Sequence, residues 1–206
     1  PSSSNTAGAV RIGYVAMHLL KDEPCEVKIG LYGSFAKTGK GHGTDRALIA
    51  GILDMYPDDM RIPESFELAE KAGMKFEFYT LDIRNAHPNT ALIDITGKNG
   101  RKLSVQASSL GGGRIMVNRL DGIDVNFSAE KPTLIVHNID QPGHVAEVTS
   151  MLSHKCVNIA TMQLFRDKRG GYAVMVIETD QPIPEEAIKW LEHLEGVIKV
   201  TYVNID

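Results

Sequence analysis

Val10, Tyr14 and Met17 follow helical spacing, which predicts a helix over about 7–20. Ser2-Ser3-Ser4-Asn5-Thr6 stands just before it. Those hydroxyls and amides are what a helix start needs, because its first backbone N–H groups have no partner inside the helix. Val27–Tyr32 alternates β-branched and aromatic residues with polar ones, as a strand over 26–32 should. It runs into a glycine-rich loop, Gly33-Ser34-Phe35-Ala36-Lys37-Thr38-Gly39-Lys40-Gly41-His42-Gly43-Thr44-Asp45. Ala47, Leu48, Ile52 and Leu53 then predict a helix over 44–54. Another is predicted over 63–72, closed by Gly73, with strands at about 75–81, 90–96, 101–107, 114–119 and 123–127. Gly97-Lys98-Asn99-Gly100 and Asp121-Gly122 are turn signals that join the later strands as hairpins.

Ser128–Pro132 is a short polar linker, and the pattern changes beyond it. Thr133–Ile139 reads as a strand, His144–Lys155 as a helix and Asn158–Arg166 as a strand. After the turn Lys168-Arg169-Gly170-Gly171 come a strand at Tyr172–Thr179, a helix at Pro184–Leu194 and a strand at Ile198–Val203. That βαββαβ order is ferredoxin-like. The expected class is α+β, with a mixed α/β unit at 1–128 and a ferredoxin-like unit at 132–206.

Composition excludes more than it selects. With 22 Lys and Arg against 26 Asp and Glu the net charge is −4, and no basic stripe appears, so nucleic acid is an unfavoured partner. The apolar runs are far too short for a membrane span. The chain opens at Pro1 without Met, so an N-terminal piece is expected to precede it. Its two cysteines, Cys25 and Cys156, are too few for an iron–sulfur cluster, which takes about four thiolates. They are expected to be buried free thiols of a cytoplasmic protein, and no metal ligand set is assigned.

A strand, a glycine-rich loop and a helix start let backbone amides approach a carboxylate or phosphate closely. The loop has neither the P-loop nor the dinucleotide-binding spacing, so nucleotide binding is unfavoured. His42 and Asp45 bring groups able to move protons or orient a substrate. Asp45 or Thr44 could equally cap the helix that follows. Lys37 and Lys40 read as a solvated pair, and Gly111–Gly113 as a tight turn after Ser109-Leu110.

Together these segments resemble the β chain of bacterial iron–sulfur-dependent L-serine dehydratase. Its pattern is Pro-Ser-Ser-Ser-His-Thr-x-Gly followed by Gly-Ser-…-Thr-Gly-x-Gly-His-x-Thr-Asp. The second motif is nearly complete from Gly33 to Asp45, and His87-Pro88-Asn89-Thr90 and Ser109–Gly113 agree as well. The resemblance implies conversion of L-serine to pyruvate and ammonia with a separate α subunit that holds a [4Fe–4S] cluster. Ser2, Ser3, Ser4, Thr6, Gly41 and Thr44 would bind substrate, with His42, Asp45 and residue 5 as catalytic groups. Residue 5 departs from the pattern: it is Asn5 where the family has histidine, and asparagine cannot accept a proton near neutral pH.

Asp140-Gln141-Pro142-Gly143, with Val157-Asn158-Ile159, resembles the ACT domain, a small module that commonly binds amino acids. The resemblance implies L-serine as effector, with Asn138, Asp140 and Asn158 as ligands and Pro142 and Gly143 shaping the turn. It also implies a homodimer through 132–206. The alternative is a non-catalytic effector-binding subunit, because the first unit also resembles the allosteric substrate-binding domain of some phosphoglycerate dehydrogenases.

Overall fold

A computed structural model describes residues 3–39 and 43–205, with side chains from Asn5 onward. By contacts the chain divides into two compact units, Pro1–Gly122 and Ile123–Asp206. In chain order the first unit holds α1 (Ser3–Leu20), β1 (Pro24–Gly33), α2 (Ser34–Thr38), α3 (Thr44–Ile52), α4 (Ser65–Lys71), β2 (Lys75–Thr80), β3 (Asn89–Gly97), β4 (Lys102–Gly111) and β5 (Arg114–Leu120). With β6 (Ile123–Phe127) these strands form a six-stranded sheet in the order β2-β1-β3-β4-β5-β6. The β1–β2 pair is parallel, joined by the helical crossover, while β1–β3, β3–β4 and β4–β5 are antiparallel.

The strand alternation read from sequence decides which face of the sheet is covered. Val27, Ile29 and Leu31 of β1, Ala91, Ile93 and Ile95 of β3, and Leu103, Val105 and Ala107 of β4 are all buried. They form one face beneath α1, on which α3 packs in turn, as period-two geometry requires. The helices themselves meet through glycine. A Cβ on Gly51 would run into the carbonyl of Val10 and lie 2.6 Å from the amide of Tyr14; one on Gly13 would strike the carbonyl of Leu48. Bare backbone at both positions lets α1 and α3 approach this closely. Val10–Tyr14 beside Gly51, and His18 beside Asp54 (3.2 Å), give the two helices the same direction, so both begin at the same end.

Several local expectations change. α1 starts at Ser3 rather than near residue 7, so Ser3, Ser4, Asn5 and Thr6 form its first turn instead of preceding it. The unpaired amides of a first turn tolerate such side chains there. Ser34–Thr38, expected as loop, is the short helix α2, and Thr38 Oγ1 donates back to the Ser34 carbonyl at 2.7 Å. β4 runs on through Ser109 to Gly111, because Ser108 bonds across the sheet and Ser109 is buried. The turn falls on Gly112 and Gly113, and φ is positive from Gly111 to Gly113. Cys25 is half-buried and Cys156 exposed, both free, so neither is the buried thiol expected. Cys156 stands in the turn after the fifth helix at φ 56°, which brings it to the surface.

The second unit contains β7 (Thr133–Ile139), α5 (His144–His154), β8 (Ile159–Arg166), β9 (Tyr172–Thr179), α6 (Glu185–Glu192) and β10 (Val197–Val203). The sheet order β10-β7-β9-β8, antiparallel throughout, is the ferredoxin-like arrangement that the βαββαβ pattern predicts. Leu134, Val136, Met175 and Ile177 face Val148, Leu152, Ala187 and Leu191 of the two helices in one apolar core. β8 and β10 are the edges of this sheet.

Candidate functional site

The common direction of α1 and α3 brings the two sequence motifs together. Thr6, in the first turn of α1, lines a cleft of about 380 Å³ with Gly43 and Asp45 at the start of α3, and with Arg46, Ile62 and Pro63. Two helix N-termini side by side present unpaired amides and the positive ends of two dipoles, a favourable seat for a carboxylate. Gly43 is the N-cap of α3 at φ 95° with no side-chain cap, so neither Thr44 nor Asp45 caps the helix. Thr44 is 1% exposed and Asp45 8%, both already inside the first turn.

Asp45 is held at both ends of its residue. Its backbone N–H donates to the Gly39 carbonyl (3.3 Å), and its Oδ1 accepts from the Arg46 amide (2.8 Å). Arg46 is turned the other way: its guanidinium donates to the Pro63 carbonyl (3.1 Å), approaches Glu67 (3.4 Å) and lies 4.3 Å over the Phe66 ring. Ser65 Oγ donates to the Arg46 carbonyl at 2.7 Å, tying the start of α4 to the same wall. The base of α1 is fixed as well. Gly8 lies directly on Ser109 of β4, whose hydroxyl is buried without a hydrogen-bond partner.

Of the expected site residues, Thr6 and Asp45 line one cleft; Thr44, between Gly43 and Asp45, is buried and does not line it, and Asn5, half-buried, is next to Thr6 in the same turn. Ser2, Gly41, His42 and Lys40 lie outside the described residues, as do the side chains of Ser3 and Ser4. Lys37 is exposed on α2. Further along α1, sequence reading missed a polar cluster. Tyr14 Oη donates to Tyr56 Oη (3.1 Å), and burial with this partner pushes the Tyr14 hydroxyl well above its ordinary pKa. Helical spacing from Tyr14 to His18 was the available signal; Tyr56 had none.

In the second unit, Asp140, Pro142 and Gly143 share the turn between β7 and α5, and Asn138 stands near the end of β7. Asp140 Oδ2 accepts from Arg166 (3.1 Å) and from the Gly170 amide (3.0 Å); the amide and the guanidinium hold its carboxyl below the usual range. Asn138 is 3% exposed, and its Oδ1 has no hydrogen-bond partner. Beside it His144, missed from the sequence, opens α5. It is buried against Gly196, where a Cβ would lie 2.6 Å from its Nε2, and its Nδ1 is 3.2 Å from Glu147. Asn158 is not part of this group within one chain. Ile139 pairs with Tyr172 at the start of β9, whereas Ile159 pairs with Thr179 at its end, so Asn158 is at the opposite end of the sheet. There its Nδ2 donates to Asp180 (2.7 Å) and its amide to Gln181 (2.7 Å).

No group of three or more His, Cys, Asp or Glu side chains converges as metal ligands among the described residues, and no described helix is long and apolar enough to cross a membrane. Residues 1–119 match the family model described as serine dehydratase beta chain, and residues 132–195 match the ACT domain. The chain is 40% identical over 203 residues to a probable L-serine dehydratase, beta chain, of Bacillus subtilis, covering 98% of this chain and 92% of that one. It is 37% identical over 206 residues to the L-serine dehydratase, beta chain, of Peptoniphilus asaccharolyticus, covering 100% and 93%. A D-3-phosphoglycerate dehydrogenase of Bacillus subtilis is 22% identical over 198 residues, 96% of this chain but 37% of the longer protein.

Proposed function

This chain belongs to the serine dehydratase beta chain family and carries a C-terminal ACT domain, and we propose that with a separate α subunit it forms an L-serine dehydratase that converts L-serine to pyruvate and ammonia. One observation carries the reading. The two family motifs, far apart in sequence, meet where α1 and α3 begin side by side, at the cleft lined by Thr6 and Asp45.

Removing water from L-serine requires a seat for the carboxylate, a base for the proton on C2 and assistance to the leaving hydroxyl. The amides of the two first turns, with the hydroxyls of Ser2, Ser3, Ser4 and Thr6, hold the carboxylate; Gly43 keeps the backbone open to it. His42, by its place in the motif, is the group that moves a proton, and Asp45, anchored through Gly39 and Arg46, orients it. Asn5 hydrogen-bonds the substrate but transfers no proton. The [4Fe–4S] cluster that the resemblance implies does not fit this chain, whose only thiols are Cys25 in β1 and Cys156 in the turn after α5. It belongs to the α subunit.

The turn at Asn138, Asp140, Pro142 and Gly143 is the effector site, with L-serine as its ligand. Asn158 would join it only from a second copy, because within one chain it is at the other end of the sheet. The likeness to a phosphoglycerate dehydrogenase over nearly the whole chain favours a second reading, a regulatory subunit without catalysis. Asp45→Asn separates the two. It should abolish pyruvate formation by the assembled enzyme and leave its assembly intact; full activity would favour the regulatory reading.

A further inference from the structure

A second subunit that brings the cluster to the cleft at Thr6 and Asp45 must meet the surface bordering that cleft. One wall of the cleft, Ile62 and Pro63, is the end of the loop that leaves α3. The same loop carries Met60, 93% exposed, and Tyr56, 54% exposed, and Pro57 and Pro63 are exposed as well. Met60 is the most exposed large apolar side chain among the described residues. Apolar side chains scattered singly over a surface need no explanation. Here four stand on one short loop that runs into the cleft.

The loop is held in place along its length. Tyr56 Oη accepts from the buried Tyr14 (3.1 Å), and the Tyr56 carbonyl accepts from the Asp59 amide (3.0 Å). Around Met60 the Asp59 carboxylate takes the Arg61 amide (2.9 Å) and both sides of its guanidinium fork (3.0 and 2.8 Å). Beyond it the Glu64 amide donates to the Arg61 carbonyl (2.8 Å), and Arg46 ties down the Pro63 carbonyl (3.1 Å). Met60 is therefore presented to solvent on a fixed backbone. Ordering an interface loop is one of the costs of association, and here it is already met. Methionine and tyrosine are also among the residues enriched at interfaces.

Charge narrows the kind of partner. From Asp54 to Glu70 the chain carries six carboxylates and one basic side chain, Arg61, which Asp59 holds. Glu67 meets Arg46 and Asp54 meets His18, whereas Asp58 and Glu64 stand exposed to either side of Met60 in the chain.

We propose that the loop from Tyr56 to Pro63 is the seat of the α subunit, with Met60 as its anchor. This rests on the dehydratase reading. The matching surface is an apolar pocket for Met60, rimmed by lysine or arginine that faces Asp58 and Glu64. Docked there, the partner closes the cleft from the side of Ile62 and Pro63.

The test is anaerobic biosensor titration of the immobilised full chain with the cluster-loaded α subunit. Met60→Ser should weaken binding at least about tenfold, as loss of a central interface anchor does, while Met60→Leu should bind nearly as the parent. Asp58→Asn with Glu64→Gln should slow association and flatten its salt dependence. Because Met60 does not line the cleft, saturating α subunit should restore full pyruvate formation by Met60→Ser. Unchanged affinity in Met60→Ser, or a rate that stays low at saturating α subunit, would overturn the proposal and leave the dehydratase reading standing. Failure of the parent chain itself to bind the α subunit would overturn both.

Discussion

Gly51→Ala tests the packing that unites the two motifs. In a solvent-facing helix this change stabilises by about 1 kcal/mol, because alanine is the better helix former. Here the added methyl group meets backbone: the Val10 carbonyl, the Tyr14 amide at 2.6 Å and the Gly13 carbonyl carbon at 3.0 Å. No rotamer relieves a backbone clash, so α1 and α3 must separate. Over-packing costs typically about 1–3 kcal/mol for side chains that can yield, and a rigid contact belongs at or above the upper end. Subtracting the propensity gain leaves a net loss of about 2 kcal/mol, or roughly 4–8 °C in Tm at this chain length. Scanning calorimetry on the variant and the parent measures it. A Tm that is unchanged or raised would refute the glycine-to-backbone contact, and with it the side-by-side helix starts.

Asn5→His should raise kcat of the assembled enzyme by about 10²–10⁴ with little change in KM, the signature of a proton transfer gained only in the transition state; no change would make residue 5 a structural member of the first turn. Asp140, whose carboxyl is held low by Gly170 and Arg166, stays ionised when ordinary aspartates protonate near 3.9. Its contribution to stability is therefore complete above that value and lost as pH falls through the lower folded value. Carboxyl NMR should show it titrating below 3.9, and Arg166→Gln should move it upward; a normal titration in both proteins would contradict the pair. Residues 132–206 should self-associate through an edge of the β10-β7-β9-β8 sheet, hiding open backbone; monomer alone by light scattering at high micromolar concentration would argue against that.

The elements of the second unit were legible because each signal was local: alternation in Thr133–Ile139, helical spacing at Val148, Met151 and Leu152, and turn residues at Gly170-Gly171. In the first unit the strands were equally plain, but their ends were not. Ser108 and Ser109 read as the approach to a glycine turn, and only partners distant in sequence, Asn118 and Gly8, make them strand. The start of α1 was placed about four residues late because serine and threonine suit a cap and a first turn alike. The motifs single out Thr6 and Asp45, and the structure places both on the wall of one cleft. What brings them together is Gly13 against α3 and Gly51 against α1, and no local pattern marks a glycine for helix crossing. Asn158, which the ACT resemblance groups with Asp140, is separated from it within one chain by strand register, and register has no local signal in the sequence.

On the proposed function, Thr6 and Asp45 wall a substrate cleft that works only with a partner subunit. Anaerobic assay of pyruvate formation from L-serine, with the chain alone, with its α partner, and with the Asp45→Asn chain plus partner, tests it in one series. Activity should appear only in the second mixture. Pyruvate formed by the chain alone, or undiminished by Asp45→Asn in the complex, would contradict it.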